Sequence, residues 1–436
     1  MSYLFEDFEL DPQKRLLYKS GTVRPLPAKA FATLLLLVEN RGRAVTKDDL
    51  LGQIWSDRFV EESNLTQKIF ILRQTLGEKR SEHRFIVTLP GEGYVFVAEV
   101  VKKEPAGRPE VSAGIREPEN TESRAANLAY LKGRYHWNTR TVDGLKKAIA
   151  FSNEALSIDP AFAKAYAGLA DSYILLASQH GHLSPREAFP KARSAARRAL
   201  EISPDLPEAY SSLGFIAYSF DWNWSEADNY FRHAVELDPG YPTALHWYGE
   251  ALASRGEFGK AIEMLRNAAE LDPLSLPIAM DVAETYFYAR RYDECEACLK
   301  RMLDINPDYA RPLVIYGGLC RAAGDSKKAV GYLKKAGALC PTDPVILGEL
   351  AYTYAAAGNR KAAEKTLSDL LAIRENRHVS ALDVSAVHME LGNTAAAKGW
   401  LEKAVDERDI LLVWTNVIPK FKPLRERFGP DLILDK

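Results

Sequence analysis

The sequence predicts a mainly α-helical protein, in which a small N-terminal α+β domain precedes an all-α superhelical solenoid. Within the first hundred residues, short strand-like runs and helical patterns lead into a glycine-bracketed hairpin, "RFIVTLPGEGYVF". In the rest of the chain, prolines recur after an acidic or small residue. The last four of them are spaced 34 residues apart, a period that is typical of stacked helix–turn–helix repeats. These prolines are Pro160, Pro204, Pro239, Pro273, Pro307 and Pro341.

The composition is that of an ordinary globular protein. The 436 residues are 47% apolar and 27% charged, and the net charge of −2 gives no overall attraction to nucleic acid or to anionic membranes. The N-terminus, "MSYLFEDFEL", lacks the basic segment and the long apolar core of a signal peptide. The longest apolar run, residues 31–38, is too short to span a bilayer. We therefore expect a cytoplasmic protein without membrane association.

A change in composition divides the chain. Residues 102–123, "KKEPAGRPEVSAGIREPENTES", are rich in proline and charge and contain almost no large apolar side chain, which predicts a flexible linker. We therefore expect an N-terminal domain at 1–101 and a linker at 102–123. A solenoid of about eight helix pairs is expected at 124–410, with a C-terminal cap at 411–436.

The N-terminal domain is predicted to begin with short strands within 3–10, 15–20 and 22–26. A first helix then runs from Pro27 to near Gly42, and Thr46 is a plausible N-cap for a second helix.

A third helix is predicted to end at Gly77, and its apolar residues are spaced 4, 3 and 4 apart, so they should face the core. These core residues are Leu65, Ile69, Leu72 and Leu76. A β-hairpin with Glu92 at its tip completes the domain.

The order of these elements resembles the OmpR/PhoB-type winged helix-turn-helix family over residues 3–98. The stretches that carry the resemblance are "LLLLVENRGRAVTKDDLLGQIW", "NLTQKIFILRQTLG" and "IVTLPGEGYVF". The family implies that the third helix enters the major groove of double-stranded DNA and that the hairpin, the wing, lies against the backbone or minor groove. The resemblance extends to members of the family that are fused to sensor domains.

The candidate DNA-binding residues follow from this resemblance and from the helix face opposite the core. Gln67 and Gln74 could pair with adenine, and Phe70 or Ile71 could meet a thymine methyl group. Basic side chains could contact phosphates. The full candidate set is Ser63, Asn64, Thr66, Gln67, Lys68, Phe70, Ile71, Arg73, Gln74, Lys79, Arg84, Thr88, Gly91, Glu92, Gly93 and Tyr94.

Two features of this set leave an alternative open. Glu92 places a carboxylate at the wing tip, where phosphates would repel it, and Phe70 and Ile71 stand where family members often carry arginine. The alternative is a winged helix that no longer binds DNA and uses Phe70 and Ile71 in a protein contact.

The C-terminal repeats show the pattern of paired helices. Leu245, Tyr248, Gly249 and Leu252 form one apolar stripe, and Ala261 begins a second in which small residues let paired helices approach closely. The units resemble the tetratricopeptide repeat family. About ten extra residues, near 178–187, are expected in a loop between paired helices.

The tetratricopeptide resemblance implies a protein or peptide ligand on the concave face. Residues offset from the core stripe are the candidates for this groove, and they could equally form an ordinary solvated face. They are Asp171, His246, Glu250, Glu284, Arg321 and Tyr352.

Other candidate sites have simpler explanations. Cys295 and Cys298 form a C-x-x-C pair, yet Cys295 occupies a repeat position that packs in the core elsewhere. His180 and His182 could bind a metal ion but are expected in a solvated loop, and "DWNW" at 221–224 is expected to fill a repeat interface rather than to stack a ligand. We find no nucleophile elbow, phosphate-binding glycine loop or H-E-x-x-H motif, so we expect no enzyme activity, no metal and no cofactor.

The sequence thus predicts a one-component transcription regulator. Its expected partners are double-stranded DNA and a protein or peptide in the tetratricopeptide groove, with a homodimer as a possibility. The alternative is a protein-interaction scaffold whose winged helix has lost DNA binding, and an enzyme is a distant third.

Overall fold

The computed structural model describes residues 2–12, 14, 16–24, 26–54, 62–78, 84–89, 92–103, 121–178, 182–272 and 275–429. The chain forms two compact units. The first comprises Met1–Thr139 and Lys147–Ala165, and the second comprises Arg140–Lys146 and Tyr166–Lys436. Of the predicted linker, residues 104–120 lie outside the described residues, so the predicted domain boundaries stay a prediction.

The first unit contains two antiparallel sheets. The five-stranded sheet has the order β4-β3-β2-β1-β8, and the three-stranded sheet has the order β5-β7-β6. The predicted stretch 3–10 contains two strands, joined by a turn in which Glu6 has a positive φ of 48°. The strands are β1 (Ser2–Phe5), β2 (Phe8–Asp11), β3 (Leu16–Lys19), β4 (Thr22–Arg24), β5 (Val45–Thr46), β6 (Ile86–Leu89), β7 (Gly93–Phe96) and β8 (Val101–Lys103).

Three helices follow β4 in sequence: α1 (Ala28–Glu39), α2 (Lys47–Ile54) and α3 (Glu62–Leu76), with β5 between α1 and α2. The predicted start and stop signals are confirmed. Thr46 Oγ1 accepts a hydrogen bond from the backbone N–H of Asp49 over 3.0 Å, and Gly77 has a φ of 70°, which ends α3 in the left-handed region.

The core of this unit joins α3 to both sheets. All four predicted core residues of α3 are at most 2% exposed, so that prediction is confirmed. They pack in one cluster with five phenylalanines, of which Phe5 and Phe96 meet edge to face with ring centroids 5.1 Å apart. The cluster fixes α3 against the wing, which is the hairpin of β6 and β7.

The outer face of the wing is covered by a helix that begins within the last three residues of the predicted linker. Helix α4 (Thr121–Asn138) is followed by α5 (Val142–Ile158). Asn127 on α4 donates a hydrogen bond to the carbonyl of Gly42 over 3.0 Å. The apolar cluster between the wing, α4, α5 and the start of the next helix consists of Val87, Leu89, Val95, Ala129, Tyr130, Leu131, Ala155 and Ala165.

The second unit consists of stacked antiparallel helix pairs, which confirms the predicted all-α repeat array. Within three of the pairs, a glycine of the first helix meets a leucine or phenylalanine of the second. A Cβ atom on Gly249 would lie 2.6 Å from Leu265 Cγ, and one on Gly317 would lie 2.9 Å from Leu333 Cγ. The helices are α6 (Ala163–Ser178), α7 (Pro185–Ile202), α8 (Pro207–Ile216), α9 (Trp224–Leu237), α10 (Pro242–Ser254), α11 (Phe258–Leu271), α12 (Leu276–Tyr288), α13 (Tyr292–Ile305), α14 (Ala310–Ala322), α15 (Ser326–Leu339), α16 (Pro344–Ala356), α17 (Arg360–Arg374), α18 (Ala381–Glu390) and α19 (Thr394–Glu407).

The extra residues near 178–187 are shared between a loop and longer helices. Helices α6 and α7 have 16 and 18 residues, whereas α10 and α11 have 13 and 14. Ser184 caps α7 by accepting from the N–H of Glu187. Residues 179–181, which include His180, lie outside the described part of the chain.

After α19 the chain continues as a 3₁₀ turn (Ile410–Trp414), a second 3₁₀ turn (Pro419–Phe421) and α20 (Lys422–Phe428). A five-residue π-helical turn (Ala217–Asp221) extends α8. Across the residues that the structure covers, none of the helices combines the length and the apolar character needed to cross a bilayer.

Candidate functional site

Helix α3 presents a mixed polar and apolar surface on the side opposite the core. Phe70 is 58% exposed, and Thr66 and Gln74 are also exposed. Lys68 is half-buried, and Ile71 is half-buried because it packs against the core cluster. The predicted side chains of Ser63, Asn64 and Gln67, and the whole of Lys79 and Gly91, lie outside the described residues.

Arg73, predicted as a phosphate contact, makes hydrogen bonds inside the domain. Its Nη2 donates to the carbonyl of Ile86 (3.0 Å) and to Thr88 Oγ1 (2.9 Å), and Glu78 lies 3.7 Å from its Nε. Burial lowers the pKa of the Arg73 guanidinium, although Glu78 opposes the shift. Arg73 and Thr88 therefore hold α3 against β6.

The remaining predicted wing residues are mostly structural. Arg84 Nη2 lies 2.7 Å from Glu6 Oε2, and its guanidinium stacks 4.6 Å from the centroid of Phe85. Tyr94 is only 4% exposed. Gly93 has a φ of 147°, and a Cβ there would lie 2.0 Å from the carbonyl oxygen of Val45, so no other residue fits. Glu92 is exposed beside the turn, and its N–H donates to the Leu89 carbonyl over 3.0 Å.

The second candidate site is the inner face of the array, where the first helices of successive pairs contact one another: α8, α10, α12, α14, α16 and α18. We define the inner face by the polar and aromatic residues that these helices and the π-helical turn contribute. They are Tyr218, His246, Glu250, Asp281, Glu284, Tyr288, Arg311, Arg321, Glu349, Tyr352 and Asp383.

At one end of the inner face, His246 and Asp281 form a close pair, with 2.5 Å between Nε2 and Oδ2. Glu250 lies one turn along α10 and accepts from the Tyr218 hydroxyl over 3.3 Å. Burial raises the pKa of Glu250 well above its ordinary value, and the charge of Asp281 adds to this. The ligand atoms of His246, Glu250 and Asp281 all lie within 4.8 Å of one another, a donor set that a divalent cation could use.

The middle of the inner face alternates in charge. Arg311 lies 3.4 Å from Glu284, and burial raises the pKa of Glu284 to about 7 against the lowering effect of Arg311. Arg321 lies 2.9 Å from Glu349, and its guanidinium lies 5.2 Å from the centroid of Tyr352. Opposite charges are thus placed on neighbouring helices, where each supports the other.

The structure brings five of the six predicted groove residues onto the inner face. The sixth, Asp171, is fully buried and accepts from Ser212 Oγ over 2.7 Å, between α6 and α8. All six are buried or half-buried, and their role as groove contacts stays a prediction.

Several inner-face residues were missed from the sequence. Asp281, Glu349 and Asp383 stand at the same position of their repeats, 68 and 34 residues apart. The equivalent residues in other repeats are Trp247 and Ile315, which are apolar and mark the position as core. The recurrence of acids at one repeat position was a usable signal.

The other motifs pack as part of the array. Cys295 is fully buried, and burial raises the pKa of its thiol to about 12. The four cysteines are free. Trp222 of "DWNW" adopts a left-handed φ of 61° and packs against the C-terminal apolar cluster. His182 is half-buried, and burial lowers its pKa.

Family models match separate parts of the chain. Residues 21–96, which contain α3 and the wing, match the model described as "Transcriptional regulatory protein, C terminal". The N-terminal segment is an OmpR/PhoB-type winged helix domain. Residues 321–383 match "Tetratricopeptide repeat", and residues 223–302 match "Anaphase-promoting complex, cyclosome, subunit 3". Tetratricopeptide repeats therefore follow the OmpR/PhoB-type domain.

Curated relatives resemble the N-terminal part. The transcriptional regulator HilA of Salmonella typhimurium is 42% identical over 103 residues, which are 24% of this chain and 18% of HilA. The transcriptional regulatory protein CutR of Streptomyces coelicolor is 33% identical over 86 residues, 20% of this chain and 38% of CutR. The structure of the Thermotoga maritima response regulator DrrB, an OmpR/PhoB homologue, matches with 31% sequence identity and a TM-score of 0.21. The match covers 22% of this chain and 44% of DrrB. The chain thus spans less than half of each of these relatives.

Proposed function

We propose that this protein is a one-component transcription regulator. The OmpR/PhoB-type domain would bind double-stranded DNA, and the tetratricopeptide repeats would bind a protein or peptide. The observation that carries the proposal is that α3 has one buried face and one exposed face. The buried face packs in the core, and the opposite face carries Phe70, which is 58% exposed, together with the exposed Thr66 and Gln74. Relatives over this segment are transcription regulators by name.

The exposed face of α3 has the chemistry for reading a major groove. The Gln74 amide can donate to and accept from the edge of adenine, and the Phe70 ring can contact a thymine methyl group. Lys68 can contact a phosphate, which adds affinity without sequence preference. Gln67 and the residues before it stay part of the proposed surface.

Selection of bound sequences from a random pool of duplex DNA by the full chain tests the proposal. Phe70→Ala should then lower affinity for the selected duplex about fivefold or more, because one mismatched contact typically costs about 1–3 kcal/mol. Val23→Ala is the matched control, since Val23 is also an exposed apolar residue, 45% exposed, but lies on β4. Binding to all duplexes, with the same affinity for selected and unselected ones, would contradict sequence-specific regulation.

A protein-docking role for the winged helix is the second candidate. It is favoured by the exposed Phe70 ring together with the exposed carboxylate of Glu92, because an apolar ring suits a protein contact and a carboxylate repels phosphates. Under this function, the chain would show no salt-dependent affinity for any duplex, and Phe70→Ala would abolish a protein complex instead.

The repeats complete the proposal. We infer that a partner in the groove shifts the population between two arrangements of the chain, and that a homodimer would place two winged helices on paired half-sites. The proposed role is non-enzymatic and cytoplasmic, and it uses no cofactor. The winged helix at 1–101, the linker at 102–123, the repeats at 124–410 and the cap at 411–436 keep their predicted boundaries in this proposal.

A further inference from the structure

The C-terminal segment, residues 408–421, lies across the inner face. At its start, Arg408 donates to the carbonyl of Phe220 over 3.4 Å, and its guanidinium lies 4.0 Å from the ring centroid of Trp222. At its end, Lys420 contacts α16 and α18. Arg408 and Phe220 are 188 residues apart in sequence, so the segment reaches from the π-helical turn to the last helix pair.

Trp414 is the central aromatic contact of this segment. Its ring centroid lies 5.7 Å from that of Tyr288 on α12, and it packs against the cluster of Leu252, Ala253 and Ala261 on α10 and α11. On either side of it, Leu412 and Phe421 are fully buried. The inner face therefore holds an apolar and aromatic stretch of chain by its side chains.

Lys420 is the charged contact, and its side chain is only 6% exposed. Its ammonium lies 2.6 Å from Glu349 and 2.7 Å from Asp383. Burial opposes the charge of Lys420, but the two carboxylates outweigh burial and raise its pKa. Burial likewise raises the pKa of Glu349, yet Lys420 and Arg321 together lower it to about 2. Asp383 has the shared ammonium alone, so burial prevails and raises its pKa.

This site needs a cation. Glu349 and Asp383 lie on neighbouring first helices, and without an ammonium between them the buried carboxylate of Asp383 would face that of Glu349, whose other cationic neighbour is Arg321. Glu250, Asp281 and Glu284 add further acids along the same face. A ligand that replaced residues 408–421 would therefore have to supply both an aromatic ring for the Trp414 position and a positive charge for the Lys420 position.

We propose that the inner face binds a partner peptide that carries an aromatic side chain and, six residues later, a lysine, and that residues 408–421 occupy this surface until such a peptide displaces them. The proposal rests on the proposed function in one respect only: it names the chemistry of the protein partner of the repeats. Residues 408–421 would then compete with the partner peptide for the inner face.

A labelled synthetic peptide of residues 408–421 is the probe. In the full chain, Trp414→Ala combined with Lys420→Gln weakens the resident segment, and the peptide should bind this variant at least tenfold more tightly than it binds the wild-type chain. A second peptide with glutamine in place of Lys420 should bind at least tenfold more weakly. Lys422→Gln is the matched control, because that side chain is 66% exposed and lies 3.6 Å from Glu426 on the same helix.

A folded double variant that binds the peptide no more tightly than the wild type and the Lys422→Gln chain would overturn the proposal. If the double variant does not fold, hydrogen exchange of the wild-type chain decides. Excess peptide made with heavy isotopes should speed exchange at residues 408–421, and unchanged exchange would overturn the proposal.

DNA affinity measured on the same samples distinguishes a failure of the peptide proposal from a failure of the regulator proposal. Loss of peptide binding with intact DNA binding counts against this inference alone, and absent DNA binding counts against the regulator alone.

Discussion

Arg73 on α3 donates a hydrogen bond to Thr88 on β6 over 2.9 Å, which links the proposed recognition helix to the first strand of the wing. The same guanidinium donates to the carbonyl of Ile86. Arg73, which was predicted as a phosphate contact, therefore fixes α3 and the wing relative to each other.

Arg73→Ala is expected to reduce stability rather than DNA attraction. Two hydrogen bonds from a partly buried cation are lost, which should lower the free energy of unfolding by about 1–3 kcal/mol. Lys68→Ala is the comparison, because it should flatten the plot of log K against log salt by about one unit if Lys68 contacts a phosphate. Thermal unfolding and salt titrations on both variants check this. A flatter salt slope with unchanged stability for Arg73→Ala would contradict it.

Glu92→Arg should strengthen binding to any duplex. The exposed carboxylate beside the wing turn repels phosphates, and an arginine would neutralise about one of them, so the salt slope should steepen by about one unit. Glu99→Arg makes the same charge change at an exposed residue beyond the wing and serves as the control. Equal effects of both changes would indicate general electrostatics rather than a wing contact.

Much of this fold could be predicted because its signals are local and periodic. The 4-3-4 spacing from Leu65 to Leu76 predicted the buried side of α3, and the repeat pattern predicted the close helix approach at Gly249 that the structure shows. Thr46 and Gly77 marked helix ends by their own chemistry. Each of these features depends on residues close together in sequence.

The parts that could not be predicted depend on distant contacts. Strand β8 has only three residues, which is too short for an alternation of apolar and polar side chains to predict its pairing with β1. The sequence shows that Arg73 is positively charged, but the charge alone does not tell whether the side chain contacts a phosphate or Thr88. The docking of α4 on the wing and of Lys420 on Glu349 joins residues that no shared pattern connects.

A fragment of residues 1–103 should be less stable than one of residues 1–165. Without α4 and α5, the wing would expose Val87, Leu89 and Val95, each at most 2% exposed in the chain. We expect the shorter fragment to unfold at a lower temperature and to bind an apolar dye. Equal melting temperatures and no dye binding would show that the wing does not need this cover.

Stability should fall as pH rises through the titration of Glu284. Burial raises its pKa to about 7 from an ordinary 4.5, so the native state keeps a proton that the unfolded chain loses between these values. Glu284→Gln should remove this loss, so the variant should lose less stability than the wild type between pH 4.5 and 7.5, by at most roughly 3 kcal/mol, since each pKa unit corresponds to about 1.4 kcal/mol.

Urea unfolding at pH 4.5, 6 and 7.5 measures the effect of Glu284→Gln. Glu263→Gln is the control, because Glu263 is exposed on α11. If both variants follow the wild-type dependence on pH, the buried carboxyl of Glu284 is not the source of it.

Two glycines of one helix pair should respond oppositely to alanine. A Cβ at Gly317 would lie 2.9 Å from the buried Leu333, so Gly317→Ala should cost about 1–3 kcal/mol. Gly331, inside α15, has open space around its Cβ position, and Gly331→Ala should gain up to about 1 kcal/mol of helix stability. Chemical denaturation of both variants tests the pair, and a loss of stability for Gly331→Ala would contradict the assigned packing.

Tetratricopeptide arrays usually tolerate the gain or loss of a whole unit, because each unit touches only its neighbours. Here Arg408 reaches the carbonyl of Phe220 while Lys420 reaches Glu349, so one continuous stretch of backbone has to match the distance between early and late units. Adding or deleting a single 34-residue unit between α10 and α15 would leave that stretch too short or too long. The two anchors of this segment thus limit how many repeats the chain can hold between them.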